Sequence, residues 1–384
     1  IVNTTVTPHS AQLAMELEVF SEISENAIIL IEEPKSDTLL KIPIRLKKGG
    51  NFFREDFSIS DPDLWWPSGH GDQPLYTFRL SIESNTNHVQ FSKRIGIRDV
   101  SIKRERDEKG KSFEIYINGK PIFSKGANWI PADSFTTRIQ PDDYKRLIAT
   151  ARDANMNTLR IWGGGIYEPD IFYELCDEMG IMVWQDFMFA CSMYPAHQEF
   201  LASVEREAEY QVKRLKSHPS IILWCGNNEI ASGWLSWGWK EELPSSVWDD
   251  YKKIFHDLLP NVCKKLDPGR LYWPSSPGHS LAPPESDQIY GSGDNHYWGV
   301  WHGGDGFDAF EENIGRFLSE YGMQSFPEMG TIMKFAEEED LDINSKVMKE
   351  RQKASLGTGN LVKYIEYYFP PQKDFQAIVV LSQV

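Results

Sequence analysis

The feature that most constrains the fold is an alternation of apolar, strand-like runs with amphipathic helical stretches after Asp99. Repeated strand-then-helix units predict a parallel sheet. Seven strand candidates can be counted here, one fewer than a (β/α)8 barrel contains. In chain order the candidates are PIFSKGANW, MNTLRIWGG, IMVWQDF, SIILWCGNNE, RLYWPSS, QIYGSGDNHYW and RFLSEYG.

Two parallel-sheet folds are compatible with these strand-then-helix units. A doubly wound sheet is the alternative to a barrel, but no phosphate-binding glycine fingerprint follows the first strand. Gly163-Gly164-Gly165 lacks a following Lys-Ser/Thr and is more simply a tight turn. The pattern therefore favours the barrel. The predicted helices include DDYKRLIATARDAN, PDIFYELCDEM, FLASVEREAEYQVKRLKS and VWDDYKKIFHDLLPNVCKKL.

Polar or aromatic residues end most of the predicted parallel strands. Because the carboxyl ends of barrel strands share one face, these side chains are expected to converge on one site. The strand ends carry Asn128-Trp129, Arg160-Ile161-Trp162, Gln185-Asp186, Asn227-Asn228-Glu229, His296-Tyr297-Trp298 and Glu320.

The residues before the alternation have a different pattern, with short strand-like runs separated by turn segments such as KKGGN and ESNTN. Several short strands at this spacing predict an antiparallel sandwich of the immunoglobulin-like type. We therefore expect two domains: a sandwich over residues 1–97 and a TIM-barrel domain over residues 98–384.

Charge and composition exclude several classes of function. The formal net charge is −16 with no compensating Lys/Arg block, so nucleic acid is not an expected partner. No apolar run approaches the ~20 residues of a membrane span, which predicts no membrane insertion. The four cysteines form no CxxC pair and no HExxH motif is present, so neither a metal nor another cofactor is predicted.

Glu229 and Glu320 are the two glutamates at predicted strand ends. Asn227 or Asn228 could instead cap a helix with Glu229 in its first turn, and that interpretation is compatible with a catalytic one. Glu320 directly follows an apolar strand, where an ionised group is costly unless it is paired or used. Two carboxyl groups on different barrel strands suit glycoside hydrolysis, which needs one acid and one nucleophile or base.

Tryptophan is abundant, with 13 in the chain, and several lie in the predicted loops beside the polar strand ends. Pyranose rings present C–H faces that pack on indole rings, although a single Trp is more often part of a core. Their position next to the strand ends favours Trp162 and Trp237 as sugar-contacting residues.

Seven segments together resemble β-mannosidases of glycoside hydrolase family 2, and the resemblance covers most of the chain. WQDFMFACSMYP together with CGNNE is highly specific, whereas an Asn-Glu pair alone would indicate only the broader clan of such barrels. The segments are RIGIR (94–98), GANWIPAD (126–133), LRIWGGGIYE (159–168), WQDFMFACSMYP (184–195), LWCGNNE (223–229), DNHYWGVWHG (294–303) and FLSEYGMQSFP (317–327).

The resemblance implies a retaining double displacement that removes terminal non-reducing β-D-mannose. By position, Glu229 corresponds to the acid/base and Glu320 to the nucleophile. Asn228 corresponds to the residue that binds the sugar 2-hydroxyl, and Trp162 and Trp237 to aromatic residues of the pocket. Further pocket-lining positions are occupied by Asn128, Arg160, Asp186, His296 and Tyr297.

The resemblance also implies a substrate class and leaves alternatives open. Expected substrates are β-mannosides, manno-oligosaccharides or the N-glycan core, and a periplasmic, secreted or lysosomal location is compatible with them. The ACSMYP segment favours mannose over the β-glucosaminidase and β-galactosidase activities of the same family. A non-catalytic carbohydrate-binding barrel is the alternative of another class, and the presence of both glutamates counts against it.

The resemblance further predicts that the chain is truncated. Full-length family members begin with a jelly-roll domain, whereas this sequence begins in the second domain and ends at FQAIVVLSQV, which resembles the helix before the eighth strand. We expect residues 1–384 alone to have little β-mannosidase activity, because one wall of the pocket would be missing.

Overall fold

A computed structural model describes residues 1–284 and 291–384. The chain begins with seven antiparallel strands. The strands are β1 (Val2–Thr7), β2 (Ser10–Ser21), β3 (Glu25–Glu33), β4 (Thr38–Leu46), β5 (Gly49–Ser60), β6 (Tyr76–Ser84) and β7 (His88–Ile95). They form two sheets, with the orders β1–β2–β5 and β4–β3–β6–β7. The predicted sandwich is confirmed, with β1 as a strand that the pattern did not predict.

The core of the sandwich lies where the inward faces of its two sheets meet. Leu13 and Met15 of β2 belong to one buried cluster with Ile29 and Ile31 of β3 and Phe78 of β6. Residues two apart on a strand point to the same face, which is why apolar residues at this spacing build one core.

Residues 100–122 form short antiparallel strands that the sequence pattern did not predict, except that the last of them overlaps the start of the first candidate, PIFSKGANW. They are β8 (Val100–Lys103), β9 (Arg106–Asp107), β10 (Gly110–Lys111), β11 (Glu114–Ile117) and β12 (Lys120–Ile122), and β8, β11 and β12 form one sheet. Phe113, just before β11, packs against Trp184 and Trp273, with ring centroids 5.9 and 5.0 Å away. This sheet therefore shares a core with the interior of the parallel sheet that follows.

Five parallel strands come next: β13 (Gly126–Trp129), β14 (Thr158–Ile161), β15 (Met182–Asp186), β16 (Ile221–Cys225) and β17 (Leu271–Trp273). They pair in chain order, each parallel to the next. Strand order that never reverses is the order of a barrel and not of a doubly wound sheet. The predicted TIM-barrel class is confirmed.

The last two strands are β18 (Asn295–Tyr297) and β19 (Leu318–Tyr321), which pair with each other. All seven strand candidates are thus confirmed, although residues 288–290 of the sixth candidate lie outside the described residues.

Helices alternate with the parallel strands as the pattern predicts. Pro141 begins α1, where Gln140 and Asp143 form a capping box, and Gly180 ends α2 with a left-handed φ of 72° that suits glycine. The helices are α1 (Pro141–Asp153), α2 (Asp170–Met179), α3 (Gln198–Leu215), α4 (Ile230–Ser236), α5 (Trp239–Glu242), α6 (Ser246–Lys252), α7 (Leu259–Leu266), α8 (Ala309–Glu312), α9 (Met329–Ile332), α10 (Lys346–Arg351), α11 (Gly357–Tyr368) and α12 (Phe375–Leu381).

The chain divides into two compact units. The first comprises Ile1–Asn295 and Gly315–Ser319, and the second comprises His296–Ile314 and Glu320–Val384. None of the helices described in either unit combines the length and the apolar character needed to cross a membrane.

Candidate active site

Arg160 is the centre of a buried polar network at the carboxyl ends of the parallel strands of the first unit. It is 4% exposed, and its guanidinium donates to Asn128 Oδ1 (2.9 Å), Asp186 Oδ2 (2.8 Å) and Asn228 Oδ1 (2.7 Å). Its partners lie on β13, at the end of β15 and just after β16. The predicted convergence of polar strand ends is therefore present for these four residues.

The Asp186 carboxylate accepts hydrogen bonds from neutral donors as well as from the Arg160 guanidinium. Its carboxylate accepts from Arg160, from the indole Nε1 of Trp184 at 2.9 Å and from the backbone N of Gly163 at 3.0 Å. Burial raises the pKa of Asp186, and the nearby Arg160 charge opposes that rise. The two residues form a desolvated ion pair whose members depend on each other.

We expect Arg160→Ala to destabilise the fold by about 3–5 kcal/mol at neutral pH, because it leaves the Asp186 carboxylate buried without its cation. Without Arg160, the Trp184 and Gly163 donors are left to oppose the effect of burial, so the pKa of Asp186 in the folded state rises further above its value in the unfolded chain. Protonation then stabilises the folded variant at low pH, and this stabilisation is lost as pH rises. Urea unfolding of the variant and the wild type at pH 5 and pH 7 measures both effects.

The control for this prediction is Arg138→Ala, because Arg138 pairs with Asp133 at 2.6 Å with its side chain 64% exposed. Exposed pairs contribute little to stability, so this variant should unfold close to the wild type at both values of pH. A similar stability for the two variants, or a loss for Arg160→Ala that does not grow with pH, contradicts the account of the buried pair.

Glu229 occupies the N-cap position of α4 in a left-handed conformation, with φ 60° and ψ 9°. Asn227, not Glu229, caps the helix, because its Oδ1 accepts from the backbone N of Ile230 at 3.1 Å. The helix-start interpretation and the functional one are thus both compatible with the structure. A non-glycine residue is uncommon in this conformation, and such residues cluster at functional sites.

Asn228 and Cys191 contact the Glu229 carboxylate. The Nδ2 of Asn228 and the Sγ of Cys191 lie 3.4 and 3.6 Å from Glu229 Oε2, and Asn228 Nδ2 lies 3.4 Å from Cys191 Sγ. The Oδ1 of Asn228 is taken by Arg160, so the amide is oriented with its donor side toward Glu229. The polar network thus extends from Arg160 to a carboxyl group that is not fully buried.

Glu320, His296 and Tyr297 lie in the second unit. Glu320 is 9% exposed, and its Oε2 is 3.4 Å from the Nδ1 of His296. The hydroxyl of Tyr297 donates to Asp305 Oδ2 at 2.7 Å. A histidine therefore lies beside the Glu320 carboxylate within this unit.

Trp162 and Trp237 are placed by packing. The Trp162 ring lies against Gly164, where an added Cβ would be only 2.0 Å from a ring carbon. Trp237 follows α4, is 46% exposed and meets the ring of Trp239 edge-on at 5.4 Å. A side chain at position 164 would therefore collide with the Trp162 ring. The backbone N of Gly165 donates to the carbonyl of Trp162 at 3.0 Å, which agrees with the prediction that the triple glycine is a turn.

Sequence reasoning missed several polar residues of this region. Cys191 was not assigned a role, although it lies inside the specific segment WQDFMFACSMYP. Asp294 was also missed, although it opens the polar run DNHYW and is 1% exposed. The sequence did offer a signal for Asp294, because this charged residue directly precedes a strand that contains the predicted site residues His296 and Tyr297. Ser276 and Ser319 carried no signal, since isolated serines are common in loops and strands.

Family models match both parts of the chain. One described as glycosyl hydrolases family 2 matches residues 1–98, and one described as the TIM barrel domain of glycosyl hydrolases family 2 matches residues 109–274. The chain belongs to glycosyl hydrolase family 2. These matches agree with the sandwich and the parallel strands described above.

Two relatives of this family 2 chain are named as β-mannosidases. A β-mannosidase B of Emericella nidulans is 40% identical over 345 residues, which are 87% of this chain and 41% of that protein. The crystal structure of a β-D-mannosidase from Dictyoglomus thermophilum matches 99% of this chain and 46% of its own, with a TM-score of 0.91 and 42% identity. An exo-chitosanase from Amycolatopsis orientalis shares the fold, with a TM-score of 0.71 at 16% identity, over 98% of this chain and 43% of its own.

The family 2 chain spans about two fifths of the length of the curated relatives that it matches, 41% in the case of the Emericella nidulans protein.

Proposed function

We propose that this chain is part of a retaining β-mannosidase that removes terminal non-reducing β-D-mannose from β-mannosides. The observation that carries the proposal is the likeness to a β-D-mannosidase structure, at 42% identity and a TM-score of 0.91 over 99% of the chain. Expected substrates are manno-oligosaccharides or the N-glycan core. We also propose the boundary between residues 97 and 98 as the division between sandwich and barrel domain.

Glu229 is proposed as the acid/base and Glu320 as the nucleophile. Glu229 lies just after the fourth strand and Glu320 lies near the end of the seventh, at the carboxyl ends where barrel enzymes place their catalytic groups. In the first step Glu229 protonates the leaving oxygen while a Glu320 oxygen bonds to the anomeric carbon and the glycosidic bond breaks. In the second step Glu229 takes a proton from water, which displaces Glu320 and restores the β configuration.

Asn228 is proposed to bind the sugar 2-hydroxyl. Arg160 donates to its Oδ1 at 2.7 Å, which fixes the amide so that its Nδ2 can donate to a hydroxyl oxygen. Asn128, Asp186 and Arg160 would line the pocket as one hydrogen-bonded group. Trp162, Trp237, His296 and Tyr297 are proposed as further lining residues on the strength of their positions alone.

We expect Asn228→Ala to lower kcat/KM by a factor equivalent to several kcal/mol, because contacts to the 2-hydroxyl tighten in the oxocarbenium-like transition state. The variant also leaves one Arg160 donor without its acceptor, so urea unfolding is measured beside the kinetics. Asn228→Asp is the matched variant that keeps the acceptor and removes the donor. If both variants change only KM, the contact binds ground state and transition state equally, which contradicts the expected tightening in the transition state.

The substrate class is tested by hydrolysis of 4-nitrophenyl β-D-mannoside beside its gluco and galacto epimers, with the protein at its natural length. We expect kcat/KM to be highest for the mannoside, because an axial 2-hydroxyl distinguishes mannose from glucose. A higher kcat/KM for the galactoside, or for a β-glucosaminide in the same assay, would assign one of the other family 2 activities. Binding of mannosides without any turnover would instead favour a carbohydrate-binding barrel.

A further inference from the structure

Asp294 is a buried carboxylate that the proposed mechanism does not use. It directly precedes β18 and is 1% exposed. Its Oδ1 accepts from Trp273 Nε1 at 2.7 Å and from the backbone N of Gly278 at 2.8 Å. Its Oδ2 accepts from the hydroxyls of Ser276 at 2.6 Å and Ser319 at 2.5 Å. Four donors are about what the lone pairs of a carboxylate can accept, so Asp294 ties four positions together.

The Ser276 contact leads to Glu229. The backbone N of Glu229 donates to the carbonyl of Ser276 at 2.8 Å, and the backbone N of Ser276 donates to the carbonyl of Asn227 at 2.9 Å. Ser276 is thus bonded on both sides to the segment that carries Glu229. The left-handed backbone of Glu229 is unfavourable by itself and persists only where neighbouring groups hold it.

The Ser319 contact leads to Glu320. Ser319 is the residue before Glu320 in β19, and its carbonyl accepts from Asn128 Nδ2 at 2.9 Å. Its hydroxyl lies 3.3 Å from the hydroxyl of Ser276 as well as against Asp294. Because its side chain and its carbonyl are both bonded, the peptide group that leads into Glu320 is fixed at two points.

We propose that Asp294 is a positioning residue that holds the Glu229 segment and the Glu320 strand in their working places through Ser276 and Ser319. The inference rests on the proposed roles of the two glutamates. Hydrogen bonds from hydroxyls to a carboxylate are short and strong, so a single buried Asp294 oxygen can set the spacing of Ser276 and Ser319 within the first unit. Small displacements matter here, since a shift of about 1 Å can cost ~10²-fold in rate.

The two Asp294 oxygens separate positioning from stability. Trp273 and Gly278 present fixed N–H donors to Oδ1, so losing that oxygen leaves buried donors unpaired and endangers the fold. The hydroxyls on Oδ2 belong to Ser276 and Ser319, and each can be removed by itself while the Oδ1 bonds stay. Serine variants therefore test the positioning role without removing the Asp294 carboxylate.

The experiment measures kcat/KM of Ser276→Ala and Ser319→Ala, in the protein at its natural length, on an activated aryl β-mannoside and on an unactivated alkyl β-mannoside. We expect Ser276→Ala to lose roughly ten-fold on the alkyl substrate and little on the aryl one, because only the former needs the Glu229 proton. Ser319→Ala should lose roughly ten-fold on both substrates, because both need the Glu320 nucleophile.

The matched control is Ser112→Ala. This buried hydroxyl donates to the carbonyl of Lys103 and accepts from the backbone N of Glu105, within the short antiparallel strands. Its loss should lower Tm and leave both values of kcat/KM unchanged. If Ser276→Ala and Ser319→Ala change only Tm in the same way, Asp294 is a structural residue and the inference is overturned.

Asp294→Asn keeps the test decisive if a serine variant does not fold. Asn can keep the Oδ1 bonds and turn its Nδ2 to the hydroxyls, but an N–H···O bond is a few tenths of an ångström longer than the bonds it replaces. We expect a loss of about three-fold or more on both substrates. Wild-type values overturn the inference.

Glu229→Ala and Glu320→Ala are measured in the same assays. If they lose activity and the Asp294, Ser276 and Ser319 variants do not, only the inference fails. If they keep activity, the proposed function fails as well.

Discussion

Glu320→Ala should abolish turnover of β-mannosides, with a loss of about 10⁵–10⁶-fold, the scale on which removal of a covalent nucleophile acts in other enzymes. Glu320 is only 9% exposed in β19, so its truncation also removes buried contacts, and the fold of each variant is measured beside its activity. Glu320→Gln is the isosteric companion, because it keeps the shape of the side chain and removes the attacking charge. Cooperative urea unfolding shows that both variants fold.

Added azide tests whether the activity lost in Glu320→Ala is that of a nucleophile. A small anion can enter the space left by the carboxylate. It then attacks the anomeric carbon of an activated aryl β-mannoside from the face that Glu320 would have attacked, opposite the leaving group. The bond then forms in one displacement, so the product is the α-mannosyl azide. Glu311→Ala, which removes an exposed carboxylate of α8, is the control and should keep wild-type turnover without azide. Near wild-type activity in Glu320→Ala, or a β-mannosyl azide product, contradicts the assignment.

Glu229→Ala should lower kcat/KM on substrates with poor leaving groups by roughly 10²–10⁴-fold and on activated aryl mannosides far less. The leaving oxygen of an alkyl mannoside needs a proton as the bond breaks, whereas a nitrophenolate leaves without one. The measurement is a series of β-mannosides with leaving groups of increasing pKa. The slope of log kcat/KM against that pKa should be steeper in the variant than in the wild type.

Azide again separates the two roles. In Glu229→Ala the mannosyl-enzyme still forms on Glu320, and azide can replace water without needing a general base. Two displacements then give the β-mannosyl azide, the opposite of the Glu320→Ala product. Glu241→Ala, an exposed carboxylate of α5, should leave the slope unchanged. An equal loss across the whole leaving-group series would show that Glu229 is not the acid.

The strand ends could be predicted from sequence because barrel topology assigns them a common face. Apolar runs such as SIILWC end where polar residues begin, and a parallel sheet brings those ends to one edge whatever the loops do. Asn128, Arg160, Asp186 and Asn228 were predicted in this way, and they share one hydrogen-bonded network. Their roles came from the resemblance, since position alone does not assign chemistry.

Residues off the strand ends were not predictable by the same argument. Ser276 and Ser319 matter only because β17 and β19 bring them to Asp294, which follows from strand packing and not from any local pattern. The short strands over residues 100–117 were missed because they are two to four residues long, too short for alternation to show. The left-handed backbone of Glu229 was also unpredictable, because tertiary contacts hold it there.

The most direct test of the proposed function is to trap the covalent intermediate. 2-Deoxy-2-fluoro-β-D-mannosyl fluoride carries a good leaving group, and its 2-fluorine slows hydrolysis of the mannosyl-enzyme, so the enzyme should accumulate with one fluorosugar attached. Proteolysis and tandem mass spectrometry then locate the ester. We predict a single label on Glu320 within the segment FLSEYG, with slow return of activity as the ester hydrolyses. A label on another carboxylate, or turnover of the reagent without any labelled protein, would contradict a double displacement at Glu320.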